Sequence, residues 1–189
     1  MFDHFTIAAP FYEHFARLLD PTRLRSYLGL PVAGRLLDAG GGTGRVAQAL
    51  CGQADKIVVV DTSLGMLTQA LSKECICAVR SPVERLPFGD ATFARAIVVD
   101  AFHHFADHRA AIAELWRVLE PQGRLVIEEP NIETVAIKLI GFAERLALMR
   151  SRFYSPRDIA QMLQSHGAQV HIHDDHAFNT WIVADKVIS

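Results

Sequence analysis

The residues best suited to chemistry in this chain are carboxylates and imidazoles that stand beside glycines or at the ends of apolar runs. Leu36-Leu37-Asp38-Ala39 is an apolar run that enters Gly40-Gly41-Gly42-Thr43-Gly44, and Arg45–Leu50 continues with helical spacing. Glycine is needed where the backbone takes positive φ or where a ligand lies against the main chain, and the bare N–H groups then face that ligand. A second run, Val58-Val59-Val60, ends in Asp61, a carboxylate placed to accept hydrogen bonds from ribose hydroxyls. Together they predict a nucleotide-like ligand. Gly42-Thr43-Gly44-Arg45-Val46-Ala47 also fits the relaxed G-x-G-x-x-A form of a dinucleotide loop. Asp38 argues against that reading, because an acid two residues before the first glycine repels a pyrophosphate and suits an ammonium group.

A second set could handle a proton. Asp100, His103 and His104 follow the run Arg95–Val99, and Glu128 and Glu129 end the run that begins at Arg124. Ligand clefts of parallel sheets open at such carboxyl ends. An imidazole titrating near neutrality can take a proton from a phenol or enol, and Glu128 and Glu129 are a second base candidate. The plainer roles are local hydrogen bonding for the histidines and a surface position for the acids. His171-Ile172-His173-Asp174-Asp175-His176 has the residue types of a metal site. A solvated edge strand needs the same polar alternation, so no metal is expected.

These groups need a scaffold. Short strand-like runs at Arg35–Asp38, Lys56–Val60, Cys75–Val79, Arg95–Val99 and Arg124–Glu128 alternate with helical segments at Gly44–Leu50, Leu64–Leu71 and Asp107–Leu119. That is the pattern of a doubly wound parallel sheet. Pro121 and Gly123 are read as the stop of the third helix. Ser155-Pro156-Arg157-Asp158 opens a further helix with a capping box, and Gly167 closes it. Gln169–His173 and Thr180–Val187 then pair as an antiparallel hairpin at the sheet edge. Ahead of the first strand, Phe2, Phe5, Phe11, Tyr12, Phe15 and Leu19 form an aromatic segment suited to a lid.

The 189 residues, half of them hydrophobic and with a net charge of −2, predict one globular domain with no basic field for nucleic acid. The most apolar stretch, Asn131–Met149, is interrupted by Glu133, Lys138, Glu144 and Arg145, so it reads as an amphipathic helix rather than a membrane span. Its apolar face must be covered by the fold, by a small-molecule substrate, or by a second copy in a homodimer. Cys51, Cys75 and Cys77 are few and odd in number, which predicts a reducing, cytoplasmic setting, with Cys75 and Cys77 as inert thiols of a buried strand.

The motifs jointly resemble the class I S-adenosylmethionine-dependent methyltransferases, in the branch of the quinone C-methyltransferases of ubiquinone and menaquinone synthesis. Asp38–Gly44 is similar to that family's first motif, and Asp61-Thr62-Ser63-Leu64-Gly65-Met66-Leu67 to its second. Leu86-Pro87-Phe88-Gly89-Asp90-Ala91-Thr92-Phe93, His103-His104-Phe105 and Arg117–Leu125 resemble the segments around the fourth and fifth strands. The resemblance implies a Rossmann-like α/β fold of five parallel strands plus the C-terminal hairpin. It implies one domain over 1–189, with a lid segment at 1–30, a cofactor core at 31–130 and a substrate-side part at 131–189.

It also implies S-adenosyl-L-methionine as cofactor, leaving as S-adenosyl-L-homocysteine. Gly40, Gly41 and Gly42 would carry its methionine part, Asp38 would sit near the ammonium, Asp61 and Thr62 near the ribose, and Met66 against the adenine. Tyr12 and Asp100 complete the cofactor set, with His103, His104 and Glu129 as catalytic candidates. Pro82 stands where the family carries an acid or amide for the adenine amino group, so Ser81, or a backbone group at Val83, must replace it; Ala94 replaces a customary Asp. The expected reaction is methyl transfer to carbon or oxygen of a small hydrophobic or aromatic, quinone-like acceptor. An NAD(P)-dependent oxidoreductase and a non-catalytic cofactor-binding subunit are the alternatives.

Overall fold

Alternate residues of each apolar run face opposite ways, and both faces find a cover. The computed structural model describes residues 21–130, 153–174 and 179–187. In chain order these form α1 (Pro21–Leu28), β1 (Arg35–Ala39), α2 (Arg45–Ala49), β2 (Lys56–Asp61), α3 (Leu64–Ala70), β3 (Ile76–Arg80) and β4 (Phe93–Val99). There follow α4 (His108–Val118), β5 (Leu119–Pro130), α5 (Pro156–Gln164), β6 (Ala168–Asp174) and β7 (Asn179–Lys186). Leu37, Val58, Ala96, Leu125 and Ile182 pack under α4 and α5. Leu36, Ile57, Ile97, Val126 and Val183 pack against α1, α2 and α3. A parallel strand buried on both faces must be apolar at nearly every position, as β1, β2 and β4 are.

The strand order is β3-β2-β1-β4-β5-β7-β6. β1 to β5 are parallel, β7 lies antiparallel to β5, and β6 antiparallel to β7. The doubly wound sheet with a closing hairpin is therefore as expected, but the chain's last strand is not its edge. The reason is burial: Trp181, Ile182, Val183 and Ala184 of β7 are all buried, whereas His171, Ile172, His173 and Asp174 of β6 are exposed. The strand apolar on both faces takes the inner place, and the polar one takes the rim. Chain order reverses between β1 and β4, so the crevice at their carboxyl ends is the ligand position for this topology.

Two details correct the sequence reading. Leu119 pairs with Phe93 as the start of β5, and Gln122 at φ 65 then bulges the strand before pairing resumes at Arg124 and Arg95. Pro121 and Gly123 thus shape a strand irregularity, and α4 ends earlier because Leu119 gains a sheet partner. Cys75 is not a buried thiol. It precedes β3, is exposed, and is disulfide-paired with Cys51 at a Cα separation of 5.8 Å, while Cys77 is free and half-buried. The cysteine argument for a reducing setting falls with that pairing.

Local capping follows the sequence closely. Ser155 Oγ accepts from the Asp158 amide and Asp158 accepts from the Ser155 amide, with Pro156 at the first helical position of α5. Asp107 Oδ1 accepts from the amides of Arg109 and Ala110 at the head of α4. The last carbonyls of α1 have no partner within the helix, and arginines from the sheet supply one. Arg124 Nη1 donates to Tyr27 O at 3.0 Å and Arg95 Nε to Leu28 O at 2.6 Å. Arg124 is itself held by both oxygens of Asp185.

The Leu86–Asp90 turn is clamped from α4. Arg117 donates to Leu86 O, Phe88 O, Asp90 Oδ1 and both oxygens of Glu114, and Glu114 Oε2 accepts from Leu86 N. Glu114 and Asp90 hold the guanidinium above its ordinary pKa. Arg117→Ala removes every one of these donors and strands two carbonyls. It should cost about 1–3 kcal/mol, since bonds to charged donors are worth that much, lowering the melting temperature by several degrees in a thermal denaturation scan.

Candidate functional site

The crevice at the switch point holds a cavity of about 330 Å³. β1 delivers Asp38 to its floor, and the chain turns through the glycines with the amides of Gly40 and Gly41 donating to Val60 O. Asp61, at the end of β2, accepts from Gly42 N at 3.0 Å and from Ser63 N at 2.8 Å. One carboxylate thus ties the loop to the next helix start and still has lone pairs to offer. A Cβ on Gly40 would stand 2.8 Å from Ala101 Cβ, and one on Gly41 would lie 2.5 Å from the Asp38 carboxyl carbon. Neither position tolerates a side chain.

Asp38, Gly40, Gly41, Gly42, Asp61, Thr62, Met66, Ser81, Val83 and Asp100 all line the cavity, as does His104. Tyr12 and the Asn131–Met149 helix lie outside the described residues. Asp100 adopts φ 51, a left-handed conformation that Asp tolerates better than most residues, and turns the chain where β4 ends. Ser81 Oγ donates to Arg85 O at 2.8 Å and Pro82 O at 3.2 Å. With its proton so engaged, the hydroxyl presents lone pairs, which is what an adenine amino group needs from the position that Pro82 cannot serve.

Asp38 is the electrostatic anomaly. It is 1% exposed, and neither oxygen has a hydrogen-bond partner of ordinary geometry among the described residues. Burial pushes its carboxyl up to about 7, against the weaker pull of the Ala47 amide and the Arg45 charge, while Asp61 adds to the rise. A buried carboxylate without a partner in the protein is unfavourable unless a ligand cation supplies one.

Of the second set, Asp100 and His104 line the cavity, and His103 sits directly against His104 with ring centroids 4.0 Å apart. His103 and Glu129 are both buried, and His103 Nδ1 lies 2.7 Å from Glu129 Oε2. Glu129 Oε1 accepts from Phe102 N at 2.8 Å. The surface reading of the two glutamates is therefore wrong: Glu128 is buried too, on the other face of β5, where Asn179 Nδ2 donates to it. Spacing alone could not reveal this, since β7 brings the apolar cover that buries them. His103 stands above the ordinary imidazole pKa: burial lowers it, but the Glu129 bond and charge, with Asp100, outweigh burial. His104 is driven down to about 4 by burial and the neighbouring His103.

His171 and His173 share a face of β6 as expected, and His173 stacks on Tyr27 with ring centroids 4.8 Å apart. Among the described residues no cluster of three or more His, Cys, Asp or Glu side chains could hold a metal ion.

Comparison with known proteins bears on the cradle directly. A profile described as a methyltransferase domain matches residues 37–127, the span from β1 through β5. The chain is 32% identical over 127 residues to a demethylmenaquinone methyltransferase of Mycolicibacterium vanbaalenii, covering 67% of this chain and 54% of that one. It is 32% identical over 146 residues to the ubiquinone/menaquinone biosynthesis C-methyltransferase UbiE of Citrifermentans bemidjiense, covering 68% and 62%. These matches support a class I S-adenosylmethionine-dependent methyltransferase. It spans little more than half the length of the first of these relatives. A S-adenosylmethionine-dependent methyltransferase from Thermotoga maritima shares the fold at a TM-score of 0.82 and 21% identity, covering 98% of this chain and all of that one.

The family's cofactor is S-adenosylmethionine, and the residues present fit it. Gly40 and Gly41 have no room for a Cβ, and beneath them lies the buried Asp38 carboxyl, whose oxygens have no hydrogen-bond partner of ordinary geometry among the described residues.

A sign follows for Asp38. The folded state keeps this proton up to about pH 7, whereas the ordinary carboxyl releases it near 3.8. The folded protein thus binds more protons between those values, and stability declines as pH rises through that window. Asp38→Asn should raise the melting temperature of the cofactor-free protein at pH 8 by a few degrees, since about 1 kcal/mol moves a domain of this size by roughly 2–4 °C. The same variant should bind S-adenosylmethionine at least tenfold more weakly by calorimetry, and wild-type affinity should fall as pH drops below about 7.

Proposed function

We propose that the protein transfers a methyl group from S-adenosylmethionine to carbon or oxygen of a small, hydrophobic, aromatic or quinone-like acceptor. The observation that carries this reading is the buried carboxyl of Asp38, without a hydrogen-bond partner of ordinary geometry among the described residues, under a glycine cradle. A dinucleotide would bring a pyrophosphate to that carboxylate, and an ammonium group is the better complement. The named activities of the quinone C-methyltransferase relatives supply the acceptor class.

When bound, the cofactor supplies an electrophilic methyl group on a sulfonium whose departure leaves a neutral thioether. The protein's part is alignment, exclusion of water and removal of a proton. In this reading Asp38 and the loop amides hold the amino-acid end, Asp61 and Thr62 the ribose, and Met66, Ser81 and Val83 the adenine. Asp100 and His104 border the cavity, with His103 against His104 and Glu129 bonded to His103. No helix among the described residues is long and apolar enough to cross a membrane.

Calorimetric titration with S-adenosylmethionine should show binding of the purified protein, and its absence would overturn the proposal. Asp61→Ala removes the tie to Gly42 and Ser63 together with the ribose acceptor, so affinity should drop at least tenfold. A thermal-shift panel should favour S-adenosylhomocysteine over NAD, and a screen with labelled methyl donor against hydroxylated naphthalenes and benzenes should reveal a methylated product.

A further inference from the structure

The imidazole of His103 is constrained on three sides. Its Nδ1 edge is bonded to Glu129 at 2.7 Å. One ring face is stacked by Phe153, with centroids 4.7 Å apart and planes 16° apart. The ring of His104 lies against it with centroids 4.0 Å apart. Glu129 cannot swing away, because its other oxygen is taken by the Phe102 amide. The bond to Glu129 uses the Nδ1 edge of His103, so Nε2 is the ring nitrogen left to meet a ligand.

We propose that His103 is the catalytic base of this protein, that Glu129 is its positioning residue, and that the acceptor presents a phenolic or enolic hydroxyl to Nε2. The proposal rests on the methyl-transfer reading above and adds to it the acceptor's reacting group. Glu129 accepts from Nδ1–H, which fixes the tautomer and leaves a lone pair on Nε2. When the acceptor O–H bond breaks, both electrons remain with the acceptor oxygen and the proton goes to Nε2. The imidazolium so formed is neutralised by the carboxylate already bonded to it. The acceptor's charge spreads from oxygen to ring carbon, so one base serves either carbon or oxygen methylation.

The surrounding charges support this division of roles. Glu129 from β5 and Asp100 from the end of β4 both favour the protonated form of His103, and among the described residues His104 is the other titratable group whose ring lies against it. His104, held down to about 4, cannot keep the acceptor's proton near neutral pH.

The test uses the whole chain with S-adenosylhomocysteine bound and 4-nitrophenol as the probe, whose colour reports its ionisation. The wild type should hold the bound probe as the phenolate at a pH below the free phenol's own pKa, and His103→Asn should bind it as the neutral phenol. In a magnetic-resonance titration, His103 should titrate above the ordinary imidazole value in the wild type and below it in Glu129→Gln. With a hydroxylated acceptor that turns over, His103→Asn should lower kcat by about 100-fold or more. Glu129→Gln should shift the rising limb of the kcat profile to lower pH. Failure of the wild type to bind the probe, identical probe ionisation in His103→Asn, or an unmoved His103 titration in Glu129→Gln would each overturn the proposal. Calorimetry keeps the two readings apart: both variants should bind the cofactor like the wild type, whereas a wild type that binds no cofactor fails the methyl-transfer reading itself.

Discussion

The site depends on a carboxylate that the fold buries and does not neutralise. Asp38 lies at the end of a central strand, under a loop so close that Gly41 could not carry a Cβ, with no hydrogen-bond partner of ordinary geometry among the described residues. Folded proteins avoid such an arrangement unless a ligand completes it, because a desolvated charge costs several kcal/mol. The rest of the architecture serves to keep that position fixed. β1 is flanked by β2 and β4, Asp61 ties the loop back to β2, and the apolar clusters on both faces make the sheet too well packed to relax around the acid.

A second buried acid, Glu129, is handled in the opposite way. Both of its oxygens are satisfied, one by a backbone amide and one by an imidazole. The two carboxylates mark different duties. One awaits a cation from outside, and the other stabilises a cation that forms inside. Between them stand Asp100 and His104 on the cavity wall, so charge can change on the acceptor side without the cofactor side losing its counter-ion. The separation follows from topology: Asp38 and Glu129 end strands on either side of β4.

Much of this was legible in the chain. The glycine turn, Asp38 and Asp61 declared themselves because backbone geometry and ligand contact permit so few residue types there, and the capping box at Ser155 because it is a purely local bond pattern. What the chain concealed depends on distant packing. The His103–Glu129 bond joins residues 26 apart, brought together only once β4 and β5 are in register. The order of β6 and β7 was hidden for a similar reason, since a hairpin can dock by either strand and only the two-sided burial of Trp181 to Ala184 selects one. Cys51 and Cys75 misled because spacing says nothing of two loops meeting at the same end of the sheet. Leu86–Asp90, by contrast, was recognised as a motif without its reason, which is the clamp from Arg117.

The doubled acid at the end of β5 separates two kinds of fidelity. Neighbouring residues of a strand look to opposite faces, so Glu129 meets His103 while Glu128 meets Asn179. If β5 slipped by one residue, Glu128 would turn toward the histidine and a carboxylate would still be there. Leu125 and Ile127, however, would leave the layer they now share with α4 and α5, and every apolar contact on both faces would invert. The chemistry at this strand end is therefore tolerant of frame and the core is not, so it is the grease, not the acid, that keeps the strand in phase.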